Sequence, residues 1–243
     1  MQYKASFFLS CFGQFITAFS TFFGLHFIFS YVKAVDSFSY GQVLLCFAVI
    51  MMTFSIGEML GGGLNTFSRM LGNGEFDRVL VRPRNIILQI VFPKMDFTRI
   101  GLLLQALLVL AYAIYVSGVV WTWDKILALC LMIISGSAIF FGLFLIKAAC
   151  TFFSVEDMNF FNLVTYGARK FGQYPFYIYG KGVLKFYTFV IPLALFQYYP
   201  LLYLLGRENS IFYMLLPVLA LLFLVPCYIL FKIGIGKYKS IGS

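Results

Sequence analysis

Two ionisable side chains of this sequence stand where water is scarce. Glu58 precedes the run Gly61-Gly62-Gly63, and Lys147 precedes Ala148-Ala149-Cys150, each inside a long apolar stretch. A charge in hydrocarbon costs about 2.5 to 3.5 kcal/mol on insertion scales, so each must face protein, water or a partner. Two roles are open to them. Lys147 can snorkel toward the interface while Glu58 pairs with it or with a basic loop residue, or both can form a polar element in a substrate or ion path. The glycines beside Glu58 permit close helix approach or local unwinding, which suits either role.

Hydrolytic and redox chemistry needs a nucleophile with its base, a carboxylate pair or a set of metal ligands. The sole histidine, His26, has no HExxH or comparable ligand spacing, and a histidine inside an apolar run is expected to bond a neighbouring helix. There is no GxSxG elbow and no GxxxxGKS/T phosphate loop, so no ATP hydrolysis by that mechanism is expected on this chain. Cys11, Cys46, Cys130, Cys150 and Cys227 lie in apolar runs without CxxC spacing, which favours packing over metal binding or disulfides. The expectation is a chain that is not an enzyme, with no catalytic, cofactor or metal site of its own.

The elements that carry Glu58 and Lys147 follow from composition. The chain is 62% hydrophobic and 11% charged, whereas a soluble domain uses about 25% charged residues to cover its surface. In lipid every backbone donor and acceptor must be satisfied within the spanning element, which leaves helices or a closed barrel. Long unbroken apolar runs exclude the alternating pattern of a barrel. The fold class is therefore all-α, a single integral membrane domain over residues 1–243. Spans of about 20 apolar residues are expected at Ser6 to Ser30, Gly41 to Leu64, Ile100 to Trp121, Ile126 to Phe153, Val183 to Leu205 and Ile211 to Ile233. The first run is too long for a signal peptide and lacks an A-x-A-like cleavage site, so it is expected to remain as a span. Two long polar loops separate the spans, Asn65 to Arg99 and Ser154 to Gly182.

Cytoplasmic loops carry the excess of Lys and Arg. Six spans place on one side Lys4, the cluster Arg69, Arg78, Arg82, Arg84, Lys94 and Arg99, the cluster Arg169, Lys170, Lys181 and Lys185, and the tail Lys232, Lys237 and Lys239. Only Lys33, Lys125 and Arg207 fall on the other. Both termini and both long loops are thus expected in the cytoplasm, and the net charge of +9 is a matter of topology, with no nucleic-acid partner implied. Tyr31, Tyr40, Trp121 and Trp123 suit the interfacial aromatic belt.

The loop after the second span is the most informative segment. Gly72 and Gly74 bracket a turn, Glu75 and Asp77 suit the positive end of a short helix, and Pro83 stops it. Phe76, Val79 and Leu80, at i, i+3 and i+4, make one apolar face that can pack on lipid, on neighbouring spans or into a cleft on a soluble partner. The run Gly74-Glu-Phe-Asp-Arg-Val-Leu-Val-Arg-Pro83 resembles the pattern G-x-L/F-D-x-x-L-x-R/K-P found after the second span of permeases of ATP-binding-cassette (ABC) transporters of the type-2 exporter class. Tyr174-Pro175, Phe189-Val-Ile-Pro192 and Tyr198-Tyr199-Pro200 are similar to a bacterial branch of these permeases that often works as paired six-span subunits.

The resemblance implies a permease of a bacterial inner membrane, working with a cytoplasmic ATPase dimer that binds the ATP and Mg, and with a second permease, related or identical. It maps a coupling helix between spans 2 and 3 onto Gly74, Glu75, Phe76, Asp77, Val79, Leu80 and Pro83. The implied activity is movement of an amphipathic or hydrophobic substrate, outward by analogy, with substrate, direction and the homodimer or heterodimer choice open. The alternative is a gradient-driven secondary transporter or channel without an ATPase, supported by Glu58 and Lys147. Two features depart from the pattern. Only Met1 to Ala5 precede the first span, so the amphipathic leading helix of the class is absent or merged into it. Gly206 to Ser210 is too short for a re-entrant hairpin, which would have to come from the fifth run, after Pro192 or Pro200.

Overall fold

The structure, a computed structural model, describes residues 4–31, 34–35, 38–153 and 159–238. Lys33 and Lys239 of the charge pattern, and Ser154 at the head of the second long loop, lie outside the described residues.

The first helix, α1 (Lys4–Tyr31), stands at the rim, with 11% of its apolar window buried. It leans on the helix that begins at Ile100, where Gly101, lacking a Cβ, admits the Cys11 carbonyl. A hairpin of β1 (Ala34–Val35) and β2 (Phe38–Ser39) leads to α2 (Tyr40–Asn65), whose first turn is closed by the Ser39 amide donating to Gln42 Oε1 at 3.3 Å. α2 is the inner helix, 78% of its window buried. The glycines beside Glu58 are used for close approach, and α2 stays helical through them. A Cβ on Gly57 would lie 2.6 Å from Phe140 Cβ, and one on Gly61 would lie 2.7 Å from the Phe144 ring. This small-xxx-small stripe lets α7 (Trp123–Cys150) press against α2.

Gly62 and Gly63 face the other way, toward the Lys94 and Ile90 carbonyls of the first long loop. That loop is compact. It holds α3 (Phe67–Gly72), α4 (Glu75–Leu80) and α5 (Ile86–Val91), then single 3-10 turns at Phe92–Lys94 and Phe97–Arg99. α6 (Ile100–Val116) ends short of the expected Trp121, because the chain turns at Gly118 with φ +70° and Trp121 Nε1 donates back to the Ile114 carbonyl at 3.4 Å.

The fifth apolar run departs most from expectation. It is no straight span but α9 (Lys181–Phe189) and, after a bend of 86°, α10 (Leu193–Phe196) with α11 (Tyr198–Leu204). Pro192 has no N–H to give and biases Ile191 away from helix, so the ladder breaks there. Pro200 sits in the first turn of α11, where a missing N–H costs little. The last run, Ile211–Lys237, is α12 (Ile211–Ala220) and α13 (Leu224–Lys237) joined by a 3-10 turn at Leu221–Phe223. The Pro226 ring opposes the Leu222 carbonyl four residues earlier, which accounts for the tightened turn. Among the described residues, five helical segments are long and apolar enough to cross a membrane, six if the bent pair is one span.

The segment expected as the second cytoplasmic loop contains α8 (Asn159–Phe171), which lies against α2 and α7 instead of standing clear of them. It runs antiparallel to α2. Asn162 is level with Asn65 through Lys147, Tyr166 meets Glu58, and the Gly172 carbonyl accepts from Cys46 Sγ at 3.8 Å. From Glu58 to Cys46, α2 rises about 18 Å at 1.5 Å per residue. The charge pattern read Arg169 as a loop cation, but its guanidinium lies 4.7 Å from the Phe54 ring centroid on α2.

Candidate functional site

The polar residues of α2 and α7 are each held by different partners. The Glu58 side chain is 1% exposed; its Oε1 takes Arg99 Nη2 at 3.1 Å and the Tyr166 hydroxyl at 2.7 Å. Arg99 Nε donates in turn to Asp96 Oδ2 at 3.1 Å, and the Asp96 amide donates to the Met59 carbonyl at 3.0 Å, tying the end of the loop to α2. Glu58 Oε2 and Arg169 Nε are buried without a hydrogen-bond partner among the described residues. Lys147, also buried, donates to Asn65 Oδ1 at 2.7 Å and Asn162 Oδ1 at 2.8 Å. The network thus joins α2, α7, α8 and the loop end at Asp96–Arg99. Of these residues only Glu58 and Lys147 stood out in the sequence. Arg99 looked like one more loop cation, and Tyr166, Asn65 and Asn162 carried no signal.

The first loop divides the face expected of Phe76, Val79 and Leu80. Gly74, at φ +68°, turns the chain into α4. Phe76 is fully buried, its ring centroid 5.3 Å from Phe67, 5.4 Å from Phe152 and 5.0 Å from Tyr238. Val79 is buried beside it. Leu80 and Val81 point outward, 39% and 85% exposed. Glu75 pairs with Lys94 at 3.3 Å and accepts from Asn73 Nδ2 at 3.3 Å; the Asn73 bond first, then Lys94, holds its carboxyl below the usual carboxylate range. Asp77 lies in the middle of α4, and Pro83 follows in the turn before α5. Beyond it, Arg82, Arg84, Asn85, Leu88, Gln89, Phe92 and Pro93 line a cavity of about 480 Å³. Sequence reasoning missed this second half of the loop, though Leu88 and Phe92 at i, i+4 were readable as an apolar pair.

His26 Nδ1 lies 3.1 Å from the Tyr40 hydroxyl on α2, and the five cysteines are free thiols. Among the described residues no group of His, Cys, Asp and Glu is placed to hold a metal. The arrangement offers ion pairing, apolar surface and a jointed loop.

A family model described as ABC-2 family transporter protein matches residues 15–242 of the chain. No curated protein and no solved structure matches it.

Proposed function

The chain belongs to the ABC-2 transporter family as the membrane component, not the ATPase, and we propose that it exports an amphipathic or apolar substrate with a second permease, related or identical. The family implies an ATPase partner. In this reading the partner is a cytoplasmic dimer carrying ATP and Mg, both chain termini are cytoplasmic, and the first loop is where the ATPase pushes. The observation that carries the reading is the construction of that loop. Phe76 plugs it into a ring cluster shared by α3, α13 and the end of α7, and Leu80, Val81, Leu88 and Phe92 stand outward among Arg78, Arg82 and Arg84. A face that is apolar and basic at once is suited to a soluble partner with acidic margins.

Coupling is then mechanical. A push on the outward face is carried by Phe76 to the ends of α7 and α13, and by Asp96–Arg99 to Glu58 on α2 and Tyr166 on α8. Copurification from native membranes tests the reading: the chain is expected to bring down an ATP-binding-cassette ATPase. Isolation of a chain that transports without one would overturn it in favour of a gradient-driven carrier.

A further inference from the structure

The end of the first loop and the last helix enclose a cavity of about 210 Å³, with Arg84 and Asn85 lining it from the loop and Tyr228, Phe231, Lys232 and Ile235 from α13. The α13 wall is anchored. Phe231 is buried against the Phe67 and Phe152 rings, and Ile235, one turn on, is half-buried. The rim is basic and open. Arg84 and Lys232 are both exposed, and among the described residues no carboxylate lines the cavity and neither cation is in an ion pair. Asn85 adds a donor, because its Oδ1 already accepts the Leu88 amide at 3.3 Å and leaves Nδ2 to give. Two cations from different elements with an amide donor between them, and no acid to neutralise them, suit an anion of phosphate size.

Position narrows the source of that anion. Lys232 stands at the end of the last apolar run, five residues before Lys237, the last of α13, and so about 7.5 Å from that end. Each polar interface of a bilayer is roughly 5 to 8 Å thick, which puts the cavity at headgroup level on the side that the Lys and Arg pattern makes cytoplasmic. Tyr228 and Val225, at i−4 and i−7, share the Lys232 face of α13 and are 43% and 55% exposed. Acyl chains have an apolar track there, and Lys232 Nζ is held at its head, 5.6 Å from the Tyr228 ring centroid. Basic pockets beside spans on the cytoplasmic side are suited to anionic headgroups. We propose that this cavity binds the phosphodiester of an anionic membrane lipid, its oxygens accepting from Arg84 and Lys232 and its chains running along Tyr228 and Val225. A zwitterionic lipid carries the same phosphodiester but adds an ammonium, which meets two cations and no carboxylate. Leu88 and Phe92 line the neighbouring cavity and not this one, so lipid and ATPase have separate surfaces with Arg84 at their border.

The proposal takes from the transporter reading only the side of the membrane, and its test reads binding, so the two fail separately. The purified full chain is equilibrated in detergent with equal amounts of dioleoyl phosphatidylglycerol, phosphatidylethanolamine and phosphatidylcholine, and retained lipid is weighed by native mass spectrometry. Phosphatidylglycerol is expected to be retained about tenfold over the other two, the scale that two basic side chains at a membrane surface supply. Arg84→Gln with Lys232→Gln, both at exposed positions, should bring the three lipids to parity, and Arg84→Lys with Lys232→Arg should keep the ranking. Arg69→Gln removes an exposed cation of the same loop outside this cavity and should leave the ranking unchanged; a loss as large as that of the double Gln variant would reduce the effect to general surface charge and overturn the site. Inorganic phosphate at millimolar concentration separates the sources: resistance of the bound phosphatidylglycerol supports a lipid held also by its chains, and displacement overturns the lipid assignment in favour of a soluble anion. Equal retention of the three lipids by the wild type, or an unchanged ranking in the double Gln variant, overturns the proposal.

Discussion

Glu58 is the residue on which most of the inner structure converges, because a carboxylate with 1% exposure must be matched by fixed partners. Arg99 supplies the opposing charge from the loop, and Tyr166 supplies a hydrogen bond from α8. Removing one member of a buried ion pair typically costs about 3 to 5 kcal/mol, and since Arg99 is itself 19% exposed the lower end applies to Arg99→Met. Glu58→Gln combined with Arg99→Met should cost clearly less than the two single changes added together, because the double variant leaves neither member of this pair facing an absent partner. Denaturant titration of the purified protein measures this, and strictly additive costs would show that the two side chains are not coupled. The sequence exposed Glu58 and Lys147 because charges are rare in apolar runs. Their partners were invisible for a physical reason: Tyr166 is 108 positions from Glu58 and Asn65 is 82 from Lys147, and nothing local marks a residue that a distant helix will meet.

The helices of the first loop show how spacing gives a face without saying what the face meets. Phe76, Val79 and Leu80 do share a side of α4 by their i, i+3, i+4 spacing, yet the rings of Phe67, Phe152 and Tyr238 claim the Phe76 end and leave Leu80 outside. The choice depends on residues from α3, the end of α7 and the end of α13, which no window of sequence brings together. It also separates two roles that the motif had merged. Phe76→Asp places a charge in a closed ring cluster and should lower the yield of folded permease, as large losses follow from a buried unpaired charge. Val81→Asp with Leu88→Asp alters only outward residues, 85% and 50% exposed. That pair should preserve folded yield while weakening ATPase association on the order of tenfold, about 1.4 kcal/mol. Size-exclusion yield and subunit pull-down, run on both variants, distinguish anchor from docking face. Normal association and normal transport in Val81→Asp/Leu88→Asp would remove the outward face from the coupling path. The break at Pro192 was legible as a weak point of the fifth run, whereas its 86° angle was not, since the angle is fixed by packing of α10 on α7 and α12.

For the whole molecule, the question is how far the chain between α7 and α9 enters the bilayer. Charge made residues 154–182 read as a long polar loop on the cytoplasmic side, with Arg169, Lys170 and Lys181 among its cations. Within it α8 packs along α2, and just beyond the end of α8 Gln173 Nε2 reaches Met51 Sδ at 4.0 Å. Met51 is 14 residues from Asn65, so this contact lies about 21 Å along α2 from its Asn65 end, which in the orientation proposed above is well inside a hydrocarbon core of about 30 Å. Arg169 is sustained there by the Phe54 ring and the Glu58 charge, an arrangement that lets a cation enter without facing lipid. Single cysteines in a background cleared of native thiols measure the consequence with a membrane-impermeant maleimide. Asn209→Cys, in the turn before α12, should label on intact cells, and Asn73→Cys only after the membrane is opened. Gln173→Cys should remain slow under both conditions. If 154–182 were an aqueous loop, Gln173→Cys would instead label as fast as Asn73→Cys once the cytoplasmic face is reached, and α8 would have to be withdrawn from the bundle together with the role of Tyr166 in holding Glu58.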